Sequence, residues 1–122
     1  MAKSVHDDVL DGALNVIKTN STSMCFCSQQ PTTRAEAYTT YMLALQATVT
    51  GDFTLSNGDA SGRKVRMAAK SGITVTNSGT ATHIAFVDGT RLLAVTTCAS
   101  QPLTAAGTFD NPAFDLELAD PT

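Results

Sequence analysis

Apolar residues recur in two rhythms along this chain. Near its start, Val9, Leu10, Ala13, Leu14 and Ile17 fall at helical spacing, with Ser4, Asp7 and Asp8 ahead of them and Lys18 behind. That spacing predicts a capped amphipathic helix over roughly Val5 to Thr19, its acids at the positive end of the dipole and its lysine near the negative end. From there on the period shortens to two. Ser23 to Ser28 alternates around Met24 and Phe26, and the Gln30-Pro31 step closes it, because a residue before proline avoids the helical region. Thr33 with Glu36 three residues on predicts a short helical turn over Arg34 to Thr39. Tyr41 to Thr50 places Leu43, Leu45, Ala47 and Val49 at every second position, the pattern of a half-buried strand.

The segment Gly51 to Gly62, GDFTLSNGDASG, is the longest turn-rich stretch, broken by Phe53 and Leu55, which are expected to tuck inward. Arg63 to Ala69 then alternates Lys64 and Arg66 with Val65 and Met67, which predicts a strand with one basic face. Ser71-Gly72 and Asn77-Ser78-Gly79 are turns on either side of Ile73 and Val75. Ala81 to Cys98 reads as two apolar runs joined at Asp88-Gly89, a strong hairpin signal. In that hairpin Ile84 and Phe86 share one pleat face while Ala81, Ala85 and Val87 share the other, so neither face is plainly polar. A second sheet is expected over one face and a helix or neighbouring subunit over part of the other. Leu103 and Phe109 flank a loop at Ala105-Ala106-Gly107, and Ala113 to Ala119 alternates Phe114, Leu116 and Leu118 with Asp115 and Glu117.

Short strands separated by turns predict a mainly β fold, an antiparallel β-sandwich or barrel-like domain with an N-terminal amphipathic helix. At 122 residues the chain reads as one domain, residues 1–20 forming the helix and 23–119 the sandwich. Charged residues make up 16%, well below the usual quarter, with Thr, Ser and Ala in their place. A net charge of −3 with eight Lys and Arg argues against nucleic acid as a partner, since several phosphates need neutralising. No apolar run is long enough to cross a membrane as a helix, and the acidic N-terminus lacks the apolar stretch of a signal peptide.

Candidate chemistry is sparse. Cys25-x-Cys27 puts two sulfurs on one strand face without the further ligands of a tetrahedral zinc site, so with Cys98 these read as small buried hydrophobes. His83 with Cys98 or Cys25 is the one pairing that hints at nucleophilic catalysis, and no nucleophile motif accompanies it. Asn57-Gly58-Asp59 invites a calcium reading, but the closing Glu of a calcium loop is missing and turn formation explains the trio. The reading therefore assigns no catalytic residue, no cofactor and no metal. The basic pair Lys64 and Arg66 can meet an acidic partner, guard a sheet edge, or pair with Asp115 and Glu117 across the sheet.

Four segments together carry a resemblance: MAKSVHDDVLDGALNVIKTN, SMCFCSQQPTTRAEA, GDFTLSNGDASGRK and the stretch from Gly79 to Thr122 with its THIAFVD and LLAVTTC cores. They resemble a family of small virion structural proteins of tailed bacteriophages. The closing portion is also similar to small β modules of phage tail and fibre proteins, so the resemblance implies a virion protein without fixing its place. Joined to a small, weakly charged, Thr- and Ala-rich β domain with no catalytic set, it leads to the expectation of a capsid decoration (cement) protein that binds the major capsid protein on the outside of the shell. It also implies a location in the virion after synthesis in the host bacterial cytoplasm, and assembly with copies of itself, a homotrimer at local three-fold positions being one form. A tail, collar or fibre-associated structural or adhesion protein is the alternative, and a small cytosolic enzyme or metal-binding module the third reading. If the chain acts through contact area, the helix, with Val5, Val9 and Leu10, and the segment carrying Phe53 and Leu55 are the first candidate partner surfaces, with Lys64 and Arg66 beside them; the alternative is that both sets of apolar residues pack inside the same monomer.

Overall fold

The structure, a computed structural model, describes residues 5–119. Helix α1 spans Asp7–Asn20 and starts two residues later than its spacing predicts. The cap is His6, in extended backbone, whose Nδ1 accepts the Asp8 N–H at 3.0 Å and so satisfies one of the free donors of the first turn. The expected Ser4 cap lies outside the described residues. Leu10, Leu14 and Ile17 form the buried stripe of α1.

Nine strands follow among the described residues: β1 Ser23–Cys27, β2 Met42–Ala47, β3 Phe53–Asn57, β4 Arg63–Met67, β5 Lys70–Thr74, β6 Gly79–Val87, β7 Leu92–Leu103, β8 Thr108–Asn111 and β9 Phe114–Leu118. Every ladder is antiparallel. They form a four-stranded sheet in the order β2-β1-β6-β7, a three-stranded sheet β3-β4-β9, and a ribbon β5-β8. The ribbon leans on the outer edge of β2 through the Ala44–Val75 bridge and two N–H donors, Thr76 and Asn77, that share the Leu43 carbonyl. The fold is mainly β, a sandwich-like arrangement with one N-terminal helix.

Alternation decides what faces the centre. Met24, Phe26, Ile84 and Phe86 project from the larger sheet, Phe53, Val65 and Met67 from the smaller, and Leu14 and Ile17 of α1 wedge into the same core. Phe86 bridges the layers, its ring centroid 5.5 Å from that of Phe53 and 5.9 Å from that of Phe114. A buried ring of this size dominates local stability through the apolar area it removes from water. Phe26 meets Phe109 edge-on at 4.8 Å, tying the ribbon to the sheet.

The opposite face of β1 and β6 is equally dry. Cys25, Cys27, Ala85 and Val87 are fully buried under a segment of the same chain, a π-helical turn at Glu36–Thr40 that contributes Ala37 and Tyr38, with Tyr41 just beyond it. The cover is therefore this turn, and no neighbouring subunit is needed for it. Thr33 Oγ1 caps the turn by accepting the Glu36 N–H at 3.1 Å, while the Glu36 carboxylate reaches Thr32 instead of Thr33. Arg34 anchors the turn to the tip of the hairpin, donating to the Asp88 carbonyl at 2.7 Å with its guanidinium 4.5 Å from the Tyr38 ring.

Three expectations change. Gly51 to Gly62 is no single loop: Phe53 to Asn57 is strand β3, paired with β4, because its period-two apolar residues outweigh the turn formers around them. The turn shrinks to Gly58–Gly62, closed by the Gly58 N–H donating to the Gly62 carbonyl, with Gly62 at φ 72°. The β6–β7 turn spans four residues, Asp88 to Arg91, and Gly89 is not among the residues with positive φ, so the two-residue Asp-Gly turn is absent. Finally, Ala81 joins the inner core, away from Ala85 and Val87, because the register slips between Ala81 and His83.

Candidate functional site

The residues singled out as partner-facing separate once the chain is folded. Leu10 and Phe53 lie in the interior, 8% and 2% exposed, and a buried side chain offers a partner nothing. Leu55 is half-buried against the inner core. Val9 stands free at 63% exposure, and Val5 is half-buried just ahead of α1. Lys64 and Arg66 do share the outer face of β4, as alternation requires.

That face is neutralised within the chain. Lys64 Nζ lies 2.7 Å from Asp59 Oδ1 and 3.2 Å from Asp115 Oδ2, and Arg66 Nη1 lies 3.1 Å from Asp115 Oδ1. The hydrogen bond from Lys64 holds the Asp59 carboxyl below its ordinary range, and the same bond raises the lysine. Asn57 and Asp59, the residues of the calcium reading, are engaged likewise: Asn57 Oδ1 accepts from Arg63 and Asp59 from Lys64. Among the described residues no three His, Cys, Asp or Glu side chains gather closely enough to hold a metal ion.

The thiols are poor nucleophiles where they stand. Burial, reinforced by the neighbouring thiol of Cys27, pushes Cys25 up to about 12, and burial with Cys98 nearby pushes Cys27 up to about 11. Only the thiolate attacks or binds metal, so both remain inert near neutral pH. Burial also raises Cys98. His83 Nδ1 shares a 2.8 Å hydrogen bond with Thr82 Oγ1, and Thr82 in turn donates to the Ser28 carbonyl. The neighbour of His83 across the β1–β6 ladder is Cys27, whose Sγ points to the Cys25 and Ala37 carbonyls instead.

The surface that does collect exposed apolar side chains was not marked as a site by the sequence. Strand β7 is the outer strand of the larger sheet, and β9 is the outer strand of the smaller one on the same side of the sandwich. Between them open two cavities. One, of about 360 Å³, is lined by Val16 and Ile17 of α1, Leu93 to Val95 of β7 and Leu116 to Leu118 of β9; the other, of about 270 Å³, has Phe26, Ile84 and Phe114 as its floor and Thr96 and Gln101 of β7 among its walls. Val16 and Leu118 are 39% and 37% exposed along the first. The signal available in sequence was the run LLAVTTCASQPL, twelve residues without a charge.

No protein-family model, curated protein or solved structure matches this chain. No helix among the described residues is long and apolar enough to cross a membrane.

Proposed function

We propose that this chain is a tailed-bacteriophage virion structural protein, a capsid decoration protein that binds the major capsid protein shell and works through contact area. One observation carries the reading: its cysteines and basic face are tied up while two of its exposed apolar residues, Val16 and Leu118, border an open seam. Cys25 and Cys27 are held as thiols, the Lys64 and Arg66 face is paired internally, and Val16 and Leu118 line the groove between β7 and β9. Scaffolds that act by docking need that distribution, because association draws on apolar burial while unpaired charge would be costly to desolvate. The resemblance of the opening, Ser23 to Ala37, Gly51 to Lys64 and Gly79 to Thr122 segments to phage virion proteins supplies the setting. In it the partners are shell subunits and further copies of the chain.

Purified particles test it. Heads stripped of tails should retain the protein in a fixed, high ratio to the major capsid protein, and heads lacking it should break at lower temperature or osmotic stress. Loss of the protein together with the tails would overturn the head assignment and favour the tail, collar or fibre reading. Its absence from particles altogether would overturn both.

A further inference from the structure

We infer that β7 is the seam of a two-fold dimer, in which two copies of the chain pair their β7 edges antiparallel and close the groove between β7 and β9. The inference names the contact between copies and does not depend on the chain being a virion protein.

The contrast between β6 and β7 is the starting point. Ile84, Ala85, Phe86 and Val87 of β6 are all buried, on both pleat faces. Their ladder partners on β7, Thr96, Val95, Ala94 and Leu92, are all half-exposed. A stretch such as Leu92 to Val95, apolar on both faces yet half-exposed on both, is part of a core strand lacking its outer neighbour. Its second row of backbone N–H and C=O groups has no ladder partner among the described residues. Such a row is a template for another strand, and proteins that keep an edge single usually guard it with charge.

Two of the other edges show such protection, and the third, β3, offers only five residues as a template. The ribbon β5-β8 leans on β2, and β9 carries Asp115 and Glu117. On β7 neither device is used: the strand has no charged residue, and its one proline, Pro102, lies near the far end where β7 pairs with Thr80. A second copy is the occupant that fits this chemistry. Each chain carries a net charge of −3, yet the β7 strands that pair carry none, and of the acids on the adjoining β9 Asp115 is paired with Lys64 and Arg66 while Glu117 accepts the Asp59 N–H. A two-fold contact also satisfies both free edges at once and brings the Val16 and Leu118 groove walls of the two copies together, as a self-complementary patch requires.

The dimensions agree. Twelve antiparallel residues of β7 span about 40 Å and the five of β9 about 17 Å, so with each layer about 10 Å thick the open side offers roughly 570 Å² per copy, about 1,100 Å² in all, just above the roughly 1,000 Å² that a specific interface needs. Main-chain bonds along β7 would supply affinity, and the two cavities would take side chains, the division of labour seen when a strand is added to a sheet edge.

The test is the mass of the purified chain in solution by light scattering at tens of micromolar, joined to hydrogen exchange of the β7 amides. A dimer with slowly exchanging amides between Leu93 and Thr97 is expected. Thr97→Lys on the exposed edge and Val16→Glu on the groove wall should each weaken dimerisation about tenfold or more by setting like charges across the axis, with far-UV circular dichroism unchanged. Val49→Lys, on an exposed residue outside the groove, should leave the mass unaltered. A monomer at these concentrations overturns the inference, including one whose β7 amides become protected only when a different protein is added. A trimer overturns it too, because a strand paired with its own symmetry mate closes at two copies.

Discussion

Individual side chains divide cleanly between packing and exposure, and Phe53 is the sharpest case. In sequence it sits among Gly, Asp, Ser and Asn, where both an inward-tucked residue and a projecting contact are fair readings. In the fold it is 2% exposed and stacked edge-on to Phe86. Phe53→Ala should therefore cost about 3–5 kcal/mol of unfolding free energy, read by urea denaturation of the isolated protein, since truncating a buried ring removes its transfer energy and leaves a cavity. A loss under about 1 kcal/mol would place the ring outside the core and return it to the list of partner contacts. Ala106 makes the opposite kind of prediction. It holds φ 70° in the Thr104 to Gly107 turn, where its N–H donates to the Val75 carbonyl at 3.0 Å. An L-residue there carries a steric cost that glycine escapes, so Ala106→Gly should raise stability by about 0.5–1 kcal/mol even after the extra unfolded-state entropy of glycine. Denaturation midpoints of the two proteins decide it, and an unchanged or lower midpoint would count against strain at this turn.

Among the elements, the β6–β7 hairpin shows how a correct element can be closed by an unexpected turn. Asp-Gly predicts two residues at positive φ, but Asp88 organises four residues through its carboxylate. It accepts the Thr90 N–H at 2.8 Å, the Arg91 N–H, and the Arg91 Nε at 2.7 Å. The backbone bond from Thr90 leads in holding the Asp88 carboxyl at about 2, below its ordinary 3.8, with Arg91 adding to it. A depressed folded-state value means the unfolded chain binds the proton first as pH falls. The stabilisation is thus full above about pH 4 and lost between about 4 and 2. Comparing wild type with Asp88→Asn, the stability difference should shrink across that window, and an Asp88 carboxyl titrating near 4 by NMR would refute the account. Sequence reading found this hairpin, α1, β1 and β9 because their periodicity is strong and local. It missed β3 because glycine and asparagine nearby mask a five-residue strand. It took β7 for a covered core strand because alternation reports which residues are apolar and cannot report which strand ends a sheet. That last error hid the groove between β7 and β9, whose walls join α1 to β7 residues nearly eighty positions further on and β9 residues about a hundred further on.

For the molecule as a whole, β6 decides whether there is one folding unit or two. The inner core and the outer cluster under the π-helical turn share no buried member, yet neighbouring residues of β6 belong to each: Ile84 and Phe86 to the first, Ala85 and Val87 to the second. Neither cluster can lose its order without unpairing the strand that carries the other, so unfolding should be a single cooperative step. The chain supplies its own probe. It has no Trp, and both of its tyrosines, Tyr38 and Tyr41, pack against the outer cluster, so tyrosine fluorescence reports that side alone while far-UV circular dichroism reports the sheets. The two signals should trace the same urea curve. Val87→Ala in the outer cluster and Phe86→Ala in the inner one should each shift both signals together, by about 1–3 and about 3–5 kcal/mol respectively. If the tyrosine signal instead melts first, with the circular dichroism transition unmoved by Val87→Ala, the π-helical turn is an independently opening cover. The face of β1 and β6 beneath it would then become a second apolar surface available to a partner.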